Sequence, residues 1–153
     1  MTGRSADISL VVDFLNTVNV EEGTDVLHQA GTWRRWATER DLRPDTLQAA
    51  RAIRSTLRAA VGDPDAEAGP LGVPVQIELA AGTPVLSARE ATGAVLAAAA
   101  RLAVLGQWDR VKICPADDCR WAFFDESRNR SRTWCSMRVC GNREKARTWR
   151  ERQ

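Results

Sequence analysis

Cys114-Pro-Ala-Asp-Asp-Cys119 and Cys135-Ser-Met-Arg-Val-Cys140, fifteen residues apart, are the stretches whose reading decides the fold of the last forty residues. Two close cysteine pairs around a short loop have the spacing of a tetrahedral Zn2+ site built from thiolates. A four-residue gap lets each pair close a tight knuckle, with both sulfurs aimed at one metal. Pro115 and Ala116 after the first cysteine, and Gly141 after the last, suit such turns. The chain has 4 cysteines in all, so the inventory matches one closed site. Four protein thiolates leave no open coordination position, so the metal is expected to be structural rather than catalytic. Two disulfides are the competing reading. Residues 1–9 lack the apolar core of a secretory leader, and no later stretch has the apolar length of a membrane span. A cytoplasmic protein without membrane contact is therefore expected, and paired cysteines there are more often metal ligands.

Between the pairs lie Trp121, Phe123 and Phe124, a polar run from Asp125 to Arg130, then Thr133 and Trp134. Aromatic segments around a polar turn predict a hairpin. Metal binding would supply the rest of the folding free energy of so small a unit, on the order of 10 kcal/mol. After Cys140 a terminal helix is expected from about Asn142. Helical spacing puts Arg143, Arg147 and Arg150 in one stripe. Ala146 and Trp149 lie beside it and are expected to pack on the hairpin, with Lys145 and Arg152 on the other side of Trp149.

The formal net charge is only +2, but it is unevenly placed. Residues 1–113 carry 12 basic and 14 acidic side chains, whereas residues 128–153 carry 9 basic and 2 acidic. An acidic-to-neutral body with a basic tail module points to an anionic partner. A second explanation is internal. Zinc with four thiolates carries a formal charge of −2, which Arg120, Arg138, Arg143 and Lys145 would balance. That accounts for a few cations better than for nine.

The rest of the chain reads as an α+β body. Residues 8–20 are apolar with Asp13 and Asn16 inside, favouring a helix over about Leu10 to Val18. Residues 21–30 read as a loop. Thr32 to Glu39 is expected to be a short helix capped by Thr32, with Trp33, Trp36 and Ala37 on one face. Pro44 to Val61 is the clearest helix, with Pro44 in its first turn. Residues 62–74 form a surface loop. Val75 to Leu79 and Pro84 to Ser87 predict a β-hairpin around Ala81-Gly82-Thr83. The Ala-rich run from Ala88 to Leu105 predicts a helix ending at Gly106, and Trp108 to Ile113 leads into the cysteine module. The expected division is residues 1–110 as body and 111–153 as finger.

These residues together resemble a known family. Trp121-x-Phe-Phe-Asp125-x-Ser127-Arg128-Asn129, Arg132-x-Trp134-Cys135-Ser136-Met137 and Cys140-Gly141-Asn142-Arg143-x-Lys145, with the first cysteine pair, are similar to the CGNR zinc-finger family. Asp13-Phe-Leu-Asn-Thr17, followed by a Trp-containing and an Arg-containing helix, resembles the ABATE-type domain that usually precedes this finger. The resemblance implies a bacterial transcription regulator of stress-response type with a treble-clef-like, DNA-binding finger. It implies Cys114, Cys119, Cys135 and Cys140 as zinc ligands. Arg143 and Lys145 occupy motif positions, and assigning them DNA contacts is our own inference.

Three function classes follow. The first is a zinc-dependent DNA-binding regulator in which Arg128, Arg130, Arg132, Arg143, Lys145, Arg147 and Arg150 meet phosphates. A homodimer through the body would double the contacts on paired half-sites. The second is an RNA-binding or protein-interaction module with a purely structural zinc, where exposed aromatics would favour single strands and packed ones a duplex backbone. Trp33, Trp36, Trp108, Trp121 and Trp134 are expected to pack. The third is an enzyme, and the inventory is against it. His28 is the only histidine, there is no tyrosine, and no phosphate loop appears. Asp13, Asn16 and Thr17 either line a pocket for a small-molecule effector or satisfy backbone groups at a helix end.

Overall fold

The structure, a computed structural model, describes residues 3–153. It is α+β. Helix α1 spans Arg4–Leu15 and buries Asp7, Val11, Phe14 and Leu15, the i, i+4, i+7, i+8 positions of one helix face. It starts earlier than the apolar run because Asp7 is paired across the fold with Arg101, whose Nη2 lies 2.6 Å from its carboxylate. It ends before Val18, at Asn16, whose side chain bonds Ala122, and Thr17, whose hydroxyl donates back to Phe14 O in the last turn and accepts from Arg54.

The expected loop contains a small ribbon of β1 (Val18–Asn19) and β2 (Thr24–Asp25), paired antiparallel. Helix α2 spans Ala30–Thr38 with Gln29 at its N-terminal boundary, so Thr32 lies inside its first turn rather than at the cap. Helix α3 spans Leu47–Ala60 and begins at Thr46, whose hydroxyl accepts the Ala49 N–H. Pro44 stays outside the helix. Its neighbour Arg43 is held in a short parallel bridge, donating its N–H to Arg89 and accepting that of Ala91.

Strands β3 (Gln76–Ala80) and β4 (Thr83–Ser87) form the expected hairpin, with Ile77 opposite Leu86. Ala81 and Gly82 both have positive φ, 50° and 81°, as a right-twisted two-residue turn demands. Helix α4 spans Ala91–Val104, and Asp45 caps it by accepting the Thr92 N–H at 2.8 Å. Gly106 follows at φ 64°.

The core lies between α1, α2, α3 and α4. Phe14, Trp33 and Trp36 form its aromatic centre, the two indoles stacked at 5.2 Å. The same core takes in Val111, Ile113, Ala122 and Phe124 from the start of the cysteine module. Among the described residues, no helix is long and apolar enough to cross a membrane.

Candidate metal centre and basic surface

Strands β5 (Val111–Ile113) and β6 (Ala122–Phe124) pair antiparallel, Val111 opposite Phe124. Cys114 continues the ladder by donating its N–H to Trp121 O at 2.9 Å. The first cysteine pair therefore sits on the turn of this hairpin. This corrects the expected pairing of residues 121–124 with 133–134. The partner of β6 precedes Cys114, because β5 and β6 alone share apolar faces directed at the body. The second pair lies at the entrance to the terminal helix. Met137–Gly141 forms one π-type turn, and helix α5 follows over Asn142–Glu151. A knuckle on a hairpin turn facing a second pair at a helix start is a treble-clef-like arrangement.

The four sulfurs of Cys114, Cys119, Cys135 and Cys140 lie within 4.8 Å of one another. Cys135 Sγ is 3.6 Å from both Cys119 Sγ and Cys140 Sγ. A tetrahedral metal with bonds of about 2.3 Å requires sulfurs roughly 3.8 Å apart, so the donor set fits one metal ion. None of the cysteines is in a disulfide. Burial pushes the Cys119 thiol up to about 11 and raises Cys135 as well. At Cys140 burial acts the same way, but the Arg143 guanidinium 3.4 Å away overcomes it and favours the thiolate. Gly141 has helical φ of −63°, so its role is space rather than torsion. A Cβ there would meet Met137 Sδ at 2.6 Å and Trp134 Cδ1 at 3.2 Å.

Asp125 organises the segment between the pairs. It is fully buried, and its carboxylate accepts Lys112 Nζ at 2.7 Å, the Ser127 N–H and hydroxyl, and the Arg132 N–H. Burial opposes its charge, but these donors win and hold its carboxyl well below the usual carboxylate range. Lys112 also donates to the Arg130 and Arg132 carbonyls. The spacing Asp125-x-Ser127 is an Asx-turn signal that could have marked this hub in the sequence.

The seven basic residues expected to meet phosphates are not equivalent. Arg130 pairs with Asp109. Arg132 donates to the Trp134 and Cys135 carbonyls and lies 4.7 Å over the Phe123 ring. Arg143 pairs with Asp118 at 2.8 Å, and Arg147 with Glu144 at 2.8 Å and Asp117 at 3.7 Å. The like-charged stripe is thus relieved partly from within, by carboxylates of the first knuckle. Among the described residues Arg128, Lys145 and Arg150 have no carboxylate partner, and all three are exposed. Trp149 does not pack on the hairpin: it is 64% exposed. Trp121 is 37% exposed at the module surface.

Asp13, Asn16 and Thr17 are each engaged within the protein. Asp13 pairs with Arg40, and Thr17 donates to Phe14 O at 2.7 Å and accepts from Arg54. Asn16 bonds the backbone of Ala122, donating to its carbonyl at 2.9 Å and accepting its N–H at 2.7 Å. A cavity of about 480 Å3 lies elsewhere, between α1, β4 and the end of α4, with Asp7 and Arg101 in its wall. Arg58 is a structural centre that the sequence pattern did not reveal. It is buried in α3 and bonds Asp63, Leu15 O and Arg120 O, tying the body to the first knuckle.

Residues 110–153 match the CGNR zinc finger family model. Residues 9–125 match the ABATE family model, described as "putative stress-induced transcription regulator". The two matches overlap across the β5–β6 hairpin, the segment whose residues lie in both the body core and the cysteine module. A comparison with curated proteins found no match.

Proposed function

The chain belongs to the ABATE family and ends in a CGNR-type finger, and from this premise we propose that it is a zinc-dependent DNA-binding transcription regulator. In this reading Cys114, Cys119, Cys135 and Cys140 hold one Zn2+, which fixes the hairpin knuckle against the start of α5. The observation that carries it is the convergence of four sulfurs beside a basic, exposed helix. The metal supplies no reaction step; it supplies rigidity to residues that face the nucleic acid.

Arg128, Lys145 and Arg150 are the primary phosphate contacts, since among the described residues no carboxylate neutralises them. Arg143 and Arg147 contribute once a phosphate displaces Asp117 and Asp118 from them, an exchange of one anion for another with a smaller net gain. Arg130 and Arg132 hold the loop between the cysteine pairs. Residues 1–110 act as the regulatory and dimerising body, and residues 111–153 as the reading module. An effector of the body has its place in the cavity between α1, β4 and the end of α4, because that is where there is room for a ligand; the polar residues of both this wall and the Asp13, Asn16 and Thr17 set are already paired within the protein.

The test is fluorescence anisotropy of the full chain with a random-sequence duplex, in the zinc-loaded and chelator-stripped states. Binding that appears on loading and vanishes on stripping is expected. Equal binding in both states would remove the metal from the mechanism. No binding at low salt in the loaded state would leave the finger as a protein-interaction module.

A further inference from the structure

Helix α5 carries an aromatic surface beside its phosphate contacts. Trp149, 64% exposed, and the half-buried Trp134 line one groove of about 400 Å3. Lys145 and Arg152 line the same groove, and among the described residues neither has a carboxylate partner. Glu144 is there too, but its carboxylate is held by Arg147 at 2.8 Å. The spacing follows from the helix: residues 145, 149 and 152 are i, i+4 and i+7, so a cation stands one turn to each side of the indole. Gly141 lets Trp134 lie against the helix start, where any Cβ would press on it.

Resting on the nucleic-acid reading above, we propose that this groove takes an unpaired base, so that the preferred ligand is single-stranded or locally melted nucleic acid. Inside a duplex each base has both faces covered by its neighbours, and an exposed indole gains little there. An unpaired base offers its face to Trp149, in the groove that Trp134 also lines. The phosphates on either side of that base meet Lys145 and Arg152. Stacking of this kind tolerates any base, because every base has a π-face. Charge complementarity selects the occupant: two unopposed cations around an aromatic platform suit an anionic, aromatic polymer.

The experiment compares the metal-loaded full chain on three labelled probes of one sequence: a duplex, the same duplex with a central unpaired bubble, and the single strand. Wild type is expected to bind the bubble and single strand about tenfold tighter than the duplex. Trp149→Ala is expected to abolish that preference while leaving duplex binding unchanged, and Trp149→Phe to keep most of it. Because Trp149 is exposed, equal thermal midpoints for the three proteins confirm that the fold is intact. Equal wild-type affinity for duplex and bubble would overturn the stacking site but leave DNA binding standing, as would a preference that survives Trp149→Ala. Failure of wild type to bind all three probes defeats the nucleic-acid reading itself, and the stacking site with it.

Discussion

The Asn16 side-chain amide pairs with both backbone groups of Ala122, a residue 106 positions away. It presents one donor and one acceptor to the free edge of β6, as a neighbouring strand would. A polar residue in an apolar segment thus has a structural partner in the cysteine module, and the body and finger share one hydrogen-bonded seam.

Asn16→Ala leaves the Ala122 N–H and carbonyl unpaired in a partly buried place. Urea unfolding is expected to show a loss of about 1–3 kcal/mol. Asn16→Asp is expected to cost at least as much, since it sets a carboxylate against the Ala122 carbonyl. A stability change within error for both variants would dissolve the seam.

Arg58 and Asp63 are both buried, with side chains 5% exposed and an N···O distance of 2.6 Å. Arg58→Met strands the Asp63 carboxylate and two carbonyls, so a loss of roughly 3–5 kcal/mol is expected. Adding Asp63→Asn to that variant is expected to recover part of it. Thermal denaturation of the two variants tests the order. A double variant no more stable than the single one would contradict this account.

Asp125 gives the fold an acid-sensitive element. Its folded pKa is depressed, so its contribution is fully present above the unfolded carboxylate value and is lost as pH falls through the folded one. Asp25, paired with Arg54, shifts in the same direction. The thermal midpoint is expected to hold from neutral pH down to about 5 and to fall below about 4. Asp125→Asn is expected to lower the neutral-pH midpoint and to lose much of that pH dependence. A variant whose pH profile runs parallel to wild type would contradict the assignment.

Chelation separates the two halves. Stripped protein is expected to lose the near-ultraviolet signal of Trp134 and much of the α5 helicity, while the Phe14, Trp33 and Trp36 core still unfolds cooperatively. Cys135→Ser is expected to reproduce this without chelator. Melting of the whole chain in a single step on stripping would show that the body cannot stand without the metal.

The elements legible in the sequence are those set by local rules. Cysteine spacing marked the metal cluster, Ala81-Gly82 the hairpin, Gly106 the end of α4, and helical periodicity the burial of Trp33 and Trp36. What stayed hidden depends on partners distant in the chain. The strand that pairs with β6 precedes the first knuckle, and only the shared core selects it over the aromatic segment that follows. Thr32 and Pro44 were offered as helix starts by their side-chain preferences, but tertiary bonds at Arg43 and the start of α2 moved both boundaries. The arginine stripe of α5 was legible as geometry. Its neutralisation by Asp117 and Asp118 was not, since that requires the fold to bring the first knuckle under the helix. The exposure of Trp149 was hidden for the same reason: nothing in its spacing says where the helix leaves the body.

The central claim is that a metal-organised basic surface binds nucleic-acid phosphates, and the salt dependence of binding tests it most directly. Anisotropy titrations of metal-loaded protein with a random duplex between about 50 and 200 mM salt should give a linear fall of log affinity with log salt, of about 0.9 per phosphate contact. The variant Lys145→Ala/Arg150→Ala should bind more weakly at every salt concentration, with a slope shallower by roughly two contacts. Wild-type binding indifferent to salt, or a slope unchanged in the double variant, would contradict the account.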